Sequence, residues 1–365
     1  MFDLTSILRP HILTLTPYSS ARDEYTGKEG VFLDANENPY GSTLDGSTLD
    51  GFGSEDHFNR YPDPHQLAIK ERLAPIKGVR PTQIFIGNGS DEPIDLLVRA
   101  TCVPGQDSIL IMPPTYGMYE VSAAINDVAL IKVLLTPDFQ LDVPAVLAAI
   151  QPRTKLLFVC SPNNPTGNLI DRKSILTLLE NFSGLVVVDE AYIDFARSQS
   201  FTELLDQYPN LVVLQTFSKA WGLAALRSGM CFASEAIIEV LNKIKPPYNV
   251  SGPTQSLLLK ALNHLDAKDA MVARILAQRE ELVANLLNLP LVRHVYPSDA
   301  NFLLVKFDDP KAVFDSLIDQ QIIVRDRHRV KRCDGCLRIT VGTEAENDQL
   351  LSALKVYADR VPTTV

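Results

Sequence analysis

Short, almost wholly apolar runs alternate along the first two thirds of the chain with longer stretches of mixed character. Gln83-Gly87, Ser108-Met112, Leu156-Cys160, Leu185-Val188 and Leu211-Gln215 are such runs. A strand with one wet face alternates apolar and polar residues, whereas a strand covered on both faces does not. These runs are therefore expected to be buried strands. The helical patterns between most of them predict an α/β fold with a mainly parallel sheet covered on both faces. Leu185-Val-Val-Val188 is apolar throughout, and polar chemistry begins immediately afterwards at Asp189. Ligands of such sheets sit at the carboxyl ends of the strands.

Beyond Pro253 the rhythm changes. One long helical stretch through Asn288 is followed by expected strands at Asn301-Lys306, Ile322-Arg325 and Leu337-Val341, then a last helix from about Glu344 to Asp359. This pattern predicts a second, smaller α+β domain. Residues 41–51 carry Ser-Thr-Leu-Asp-Gly twice in tandem, polar and glycine-punctuated, which predicts a mobile loop and not a repeat module.

At 365 residues, 46% of them hydrophobic, the chain has enough apolar surface for about two compact units, which excludes a disordered protein. Its formal net charge of −10 argues against nucleic-acid or anionic-membrane partners, so an anionic ligand needs a local cluster of cations. The odd set of Cys102, Cys160, Cys231, Cys333 and Cys336 fits a reducing cytoplasm better than a disulfide scaffold. Met1 to Arg22 lacks the ordered regions of a signal peptide, and no run approaches the ~18 apolar residues of a membrane span. A cytoplasmic protein is expected.

Candidate chemistry clusters where strands end. Asn88-Gly-Ser-Asp-Glu-Pro93 leads from a strand into a helix at Ile94-Ala100. Ser90 or Asp91 can cap that helix, and its first-turn amides form an anion site. Only two glycines are present, so the dinucleotide fingerprint is not matched. Ser161-Pro-Asn-Asn-Pro-Thr-Gly167 combines turn formers with hydrogen-bonding side chains after the strand ending at Cys160. Asp189 and Tyr192 follow another strand, and Thr216-Phe-Ser-Lys219, with Arg227 eight residues on, follows a third. A buried carboxylate such as Asp189 requires water, a cation or a protonated ring. Arg325, Arg327, Arg329, Lys331, Arg332 and Arg338 crowd fourteen residues, for which a solvated basic face is the ordinary explanation. Cys333-Asp-Gly-Cys336 has zinc-knuckle spacing but no second cysteine pair, and His328 cannot complete four ligands, so no metal is expected.

Taken in order, these segments resemble the fold-type I pyridoxal-phosphate-dependent aminotransferases, and among them most closely the histidinol-phosphate aminotransferases. The resemblance spans nearly the whole chain. It rests on Thr16-Pro-Tyr-Ser-Ser-Ala-Arg22, Asp34-Ala-Asn-Glu-Asn-Pro39, Arg60-Tyr-Pro-Asp-Pro64, Gly89-Ser-Asp-Glu92, Ser161 to Gly167, Val188-Asp-Glu-Ala-Tyr192, Phe217-Ser-Lys-Ala220 with Arg227, and Cys336-Leu-Arg-Ile-Thr-Val-Gly342. It implies an N-terminal arm and small-domain part at 1–45, a large pyridoxal-phosphate-binding domain with a seven-stranded sheet at 46–258, and a small substrate-recognition domain at 259–365.

The resemblance also implies roles. Lys219 would hold the cofactor covalently and then carry the substrate proton. Asp189 would pair with the ring nitrogen, Asn164 and Tyr192 would bond the phenolic oxygen, and Tyr116 would stack on the ring. Ser90, Asp91, Thr216, Ser218 and Arg227 would hold the cofactor phosphate. Lys219, Asp189 and Tyr192 form the implied catalytic set. Arg325 and Arg338, with Tyr18 and the partner's Tyr61, would bind the substrate phosphate beside Asn164, which requires a homodimer with shared sites. The substrates implied are histidinol phosphate and glutamate or 2-oxoglutarate. A threonine-phosphate decarboxylase or an aromatic-amino-acid aminotransferase of the same fold shares these requirements. A non-enzymatic relative would be expected to lack Lys219 or Asp189.

Overall fold

The computed structural model describes residues 2–17, 33, 35–43 and 58–360. Tyr18 and the tandem loop beyond residue 43, expected to be mobile, lie outside the described residues.

The larger sheet contains β1 (Ile84–Asn88), β2 (Ser108–Ile111), β3 (Ala129–Lys132), β4 (Thr154–Cys160), β5 (Leu185–Asp189), β6 (Leu211–Thr216) and β7 (Ser228–Ala233). Their order across the sheet is β1-β7-β6-β5-β4-β2-β3. The five strands from β6 to β3 are mutually parallel, and β7 alone runs antiparallel to both its neighbours. The mainly parallel seven-stranded sheet is thus present. Successive side chains of a strand point to opposite faces. Accordingly Val186 and Val188 of β5 enter one core with Leu157 and Val159 of β4. Leu185 and Val187 enter a second core, with Leu156 and Phe158, on the other face. Burial on both sides is why these strands carry no polar alternation.

Two strands of this sheet escaped the apolar-run criterion for identifiable reasons. The edge strand β3, Ala129-Leu-Ile-Lys132, has an exposed residue at each end and only partly buried residues between. β7 opens with Ser228-Gly229 directly after a charged turn, so its apolar part is short. β1 starts at Ile84 because Gln83 ends a 3-10 turn over Pro81–Gln83.

The smaller sheet is wholly antiparallel, with β8 (Val292–Val295), β9 (Phe302–Phe307), β10 (Arg325–Asp326) and β11 (Cys336–Thr340) in the order β10-β11-β9-β8. Helices Leu265–Leu287, Pro310–Asp319 and Glu344–Arg360 supply its apolar cover, with Leu282, Leu286, Val313, Leu317, Leu350 and Leu354 in one core with Leu303, Val305, Leu337 and Ile339. The helical stretch after Pro253 is two helices, Gly252–Ala261 and Leu265–Leu287. They are separated where the amides of Asn263 and His264 turn back to the Lys260 and Ala261 carbonyls. The strand expected at Ile322-Arg325 shrinks to Arg325–Asp326, because Gln321 adopts φ 60° and Ile323 is 76% exposed outside any ladder. Among the described residues no helix is long and apolar enough to cross a membrane.

Candidate active site

The topology brings one set of loops together. β1, β4, β5 and β6 all point the same way, so Asn88, Cys160, Asp189 and Thr216 end on one edge of the sheet. The reversed strand β7 begins on that edge, which places Arg227 there as well. A cavity of about 730 Å³ opens at this edge. Ser90, Asp91, Tyr116 and Asn164 line it, as do Asp189, Tyr192, Thr216 and Ser218. Lys219, Arg227, Arg325 and Arg338 complete the set of expected site residues around it. The structure therefore brings together every expected cofactor residue and three of the expected substrate residues, Asn164, Arg325 and Arg338.

Tyr61 stands apart. It is 51% exposed, stacks on Tyr248 with ring centroids 4.4 Å apart, and donates its backbone N–H to Glu37 Oε1 at 2.7 Å. Arg60 also pairs with Glu37 at 2.7 Å, so the Arg60-Tyr-Pro motif is clamped to the Asn36-Glu37-Asn38 segment.

Asp189 is 2% exposed at the cavity floor. Its Oδ2 accepts the Tyr119 hydroxyl at 2.6 Å and its Oδ1 accepts the Ala191 amide at 3.1 Å. Burial pushes the Asp189 carboxyl up to about 6 despite these two bonds. Such a group is stabilised by a cation arriving in the cavity. The sequence reasoning missed Tyr119, which is fully buried, stacked on Phe158 with centroids 4.7 Å apart and edge-on to Tyr116. Its only signal was its place three residues after Tyr116, in the first turn of the helix Met118–Ile125. The adjacent Glu190 acts on the opposite side of the chain. It accepts Ser200 Oγ at 2.5 Å, the Phe201 amide at 2.7 Å and Gln215 Nε2 at 2.9 Å, tying the end of β5 to β6.

An anion cup adjoins Asp189. Helix Asp91–Thr101 starts here, and Ser90, at its N-cap position, makes no side-chain cap bond, so the expected cap is not formed. Glu92 instead accepts the Asn88 amide at 2.5 Å. Gly89 adopts φ 74°, and a Cβ on Gly229 would lie 2.4 Å from the Ser90 nitrogen, so only glycine permits this approach of turn to strand. Arg227 Nη2 lies 3.8 Å from Asp91, whose Oδ1 accepts the Tyr116 hydroxyl at 3.1 Å. Thr216 Oγ1 accepts the Ser218 amide at 3.0 Å. Hydroxyls, a helix terminus and a guanidinium thus converge as a phosphate receptor does.

Lys219 lies in the turn that leaves β6. Phe217, fully buried, bonds its amide to the Ser228 carbonyl at 3.2 Å and fixes the turn. Lys219 Nζ sits 5.6 Å from the centre of the Tyr192 ring. Partial desolvation, then the charges of Arg338 and Arg227, hold its ammonium below the usual lysine range, which favours the free amine that a nucleophile requires. Burial pushes the Tyr192 phenol up, so it remains a hydroxyl donor. Asn164 Nδ2 donates to that hydroxyl at 3.5 Å and its Oδ1 accepts Arg338 Nη1 at 2.5 Å, linking the two sheets across the cavity. Cys333 and Cys336 are buried free thiols, and among the described residues no three His, Cys, Asp or Glu side chains gather as a metal site.

This arrangement pairs a covalent-capable lysine with a buried carboxylate and a phosphate cup, and the chain belongs to the family described as aminotransferase class I and II, whose profile matches residues 28–354. It is similar to a protein of Cytophaga hutchinsonii named histidinol-phosphate aminotransferase, with 59% identity over 98% of this chain and 99% of that one. A Parabacteroides distasonis protein of the same name is 51% identical over 97% of this chain and 99% of its own length. Among solved structures, the histidinol-phosphate aminotransferase of Sinorhizobium meliloti in complex with pyridoxal-5'-phosphate superposes with a TM-score of 0.76. It is 25% identical, over 83% of each chain.

Proposed function

We propose that this protein is a pyridoxal-phosphate-dependent transaminase. It exchanges the amino group of L-histidinol phosphate with 2-oxoglutarate, reversibly giving imidazole acetol phosphate and L-glutamate, in cytoplasmic L-histidine biosynthesis. The observation that carries this is a single cavity with Lys219 and Asp189 at its floor and Arg325 and Arg338 on its wall. Full-length likeness to relatives named for the same activity supports it.

The residues present fit the cofactor. Asp189 is a desolvated carboxylate suited to a protonated pyridine nitrogen, and the Gly89 turn is a cradle that a Cβ would fill. When bound, pyridoxal phosphate supplies the electron sink that lets a substrate α-proton leave. Lys219 would hold it through Nζ, and its free amine would carry the proton at the substrate carbon. Asp189 would pair with the ring nitrogen, Tyr192 and Asn164 would bond the phenolic oxygen, and Tyr116 would contact the ring. The Ser90 and Asp91 amides, Thr216, Ser218 and Arg227 hold the phosphate. The domain expected at 46–258 would carry the cofactor, and the one expected at 259–365 would recognise the substrate.

A panel of donors tests the assignment. Histidinol phosphate with 2-oxoglutarate should give glutamate without release of carbon dioxide. Carbon dioxide from a phosphorylated amino acid, or a preference for aromatic amino acids, would transfer the assignment to one of the two rival activities. Either Arg325→Ala or Arg338→Ala should lower kcat/KM for the phosphorylated donor more than about tenfold, since each bond to a charged group contributes on the order of 1.5 to 3 kcal/mol. Retained visible absorbance would show that the cofactor site survives the change.

The working unit proposed is a homodimer in which the partner's Tyr61 reaches the substrate phosphate, supported by the exposure of Tyr61 away from this chain's own cavity. Mixing Tyr61→Ala with Lys219→Ala protein should then restore activity. Random exchange makes about half of the dimers mixed, and each mixed dimer has one intact site, so about a quarter of all sites recover. Confirmed subunit exchange without recovery above the parents would rule out shared sites.

A further inference from the structure

The basic run of residues 325–338 is divided by the fold. Arg329, Lys331 and Arg332 are exposed and do not line the cavity, whereas Arg325, Arg327 and Arg338 do. The reason is the ladder between β10 and β11. Arg325 lies directly opposite Arg338, and the Arg327 amide continues the pairing by donating to the Cys336 carbonyl at 3.0 Å. Residues two apart on a strand share a face, as do directly opposed partners, so the three guanidinium stems leave the same face. Like charges opposed across a ladder are destabilising. Among the described residues none of the three forms an ion pair with a carboxylate, and the adjacent Asp326 uses Oδ1 to accept the His328 amide at 2.8 Å. Arg327 itself is half-buried, with one backbone contact from Nη1 to the Asp326 carbonyl at 3.2 Å.

We infer that Arg327 is a third anion-binding arm and determines the preference of this site for a dianionic phosphate monoester over a carboxylate. The inference rests on the substrate proposed above and extends it. A carboxylate offers two oxygens and one negative charge, which one arginine fork satisfies. A phosphate monoester offers three terminal oxygens and, with a second pKa near about 6, two charges at neutral pH. Arg325 and Arg338 serve either group, and the third fork is matched only by the phosphate. Arg327 therefore touches the phosphate, not the reacting carbon, and its removal should weaken binding without slowing the chemistry.

The test uses the cofactor-loaded enzyme in two separate half-reactions, one with L-histidinol phosphate and one with L-glutamate, followed by loss of the cofactor's visible absorbance. Arg327→Gln should raise the concentration of phosphorylated donor giving half-maximal rate about tenfold or more, leaving the limiting rate within about twofold. Glutamate should change less than about threefold. Arg327→Lys should recover part of the loss by restoring charge without the planar fork, and Arg329→Gln should match wild type. Thermal melting of each variant guards against a folding defect. Unchanged affinity for the phosphorylated donor, or parallel losses with both donors, would overturn the inference. Wild-type enzyme inert toward the phosphorylated donor would defeat the substrate proposal instead, and the inference with it.

Discussion

Lys219→Ala is expected to lower kcat by about 10⁴-fold or more, because one amine serves as both covalent anchor and proton carrier. General acid–base catalysis alone accounts for roughly 10² to 10⁴ of that loss. The rest follows from losing the covalent anchor that holds the cofactor beside Asp189. Steady-state turnover measures the drop, and a small primary amine added to the assay should return part of the proton-transfer component. Activity above about one per cent of wild type would place the essential amine elsewhere.

Asp189→Asn should act in opposite directions on stability and on catalysis. Burial raises the Asp189 carboxyl from 3.8 to about 6 in the cofactor-free protein, so between those values the folded state binds more protons than the unfolded one. Stability attributable to this group therefore falls as pH rises from about 4 to about 6, and above that window the cost is about 3 kcal/mol. Asparagine is nearly the same size and carries no charge; its oxygen can keep the Ala191 amide while its NH2 donates to the Tyr119 oxygen. Cofactor-free Asp189→Asn protein should thus be more stable than wild type at neutral pH, with that advantage absent below about pH 4. The same change removes the charge that holds the ring nitrogen protonated, and kcat should fall by about 10³-fold. Denaturant unfolding at pH 4 and pH 7 reads the first effect and turnover reads the second. A variant that is less stable at pH 7, or as active as wild type, would show that Asp189 is not the counter-charge of the site.

Much of this was legible in the sequence because burial on both faces leaves a direct trace. Leu185-Val-Val-Val188 could only be a covered strand, and the polar Asp189 after it marked the ligand edge. Turn chemistry marked the Ser161 to Gly167 segment and the Gly89 turn in the same way. Features set by contacts distant in the chain left weaker traces. The hydroxyl of Tyr119 meets Asp189 from seventy residues away, a pairing that helical periodicity does not encode. The edge strand β3 buries too little to carry an apolar run. The basic run showed its composition but not its division, since which arginines face the cavity depends on the register of Arg325 against Arg338. Only the folded ladder reveals that register.

Borohydride reduction of the cofactor-loaded protein, followed by digestion and mass-spectrometric peptide mapping, identifies the lysine that anchors the cofactor. Reduction makes the link between cofactor and lysine permanent, so the modified residue reports the anchor without reference to substrate or rate. A single modified peptide is expected, carrying the cofactor on Lys219. Modification of a different lysine, or of none in protein shown to hold the cofactor, would remove Lys219 as the anchor.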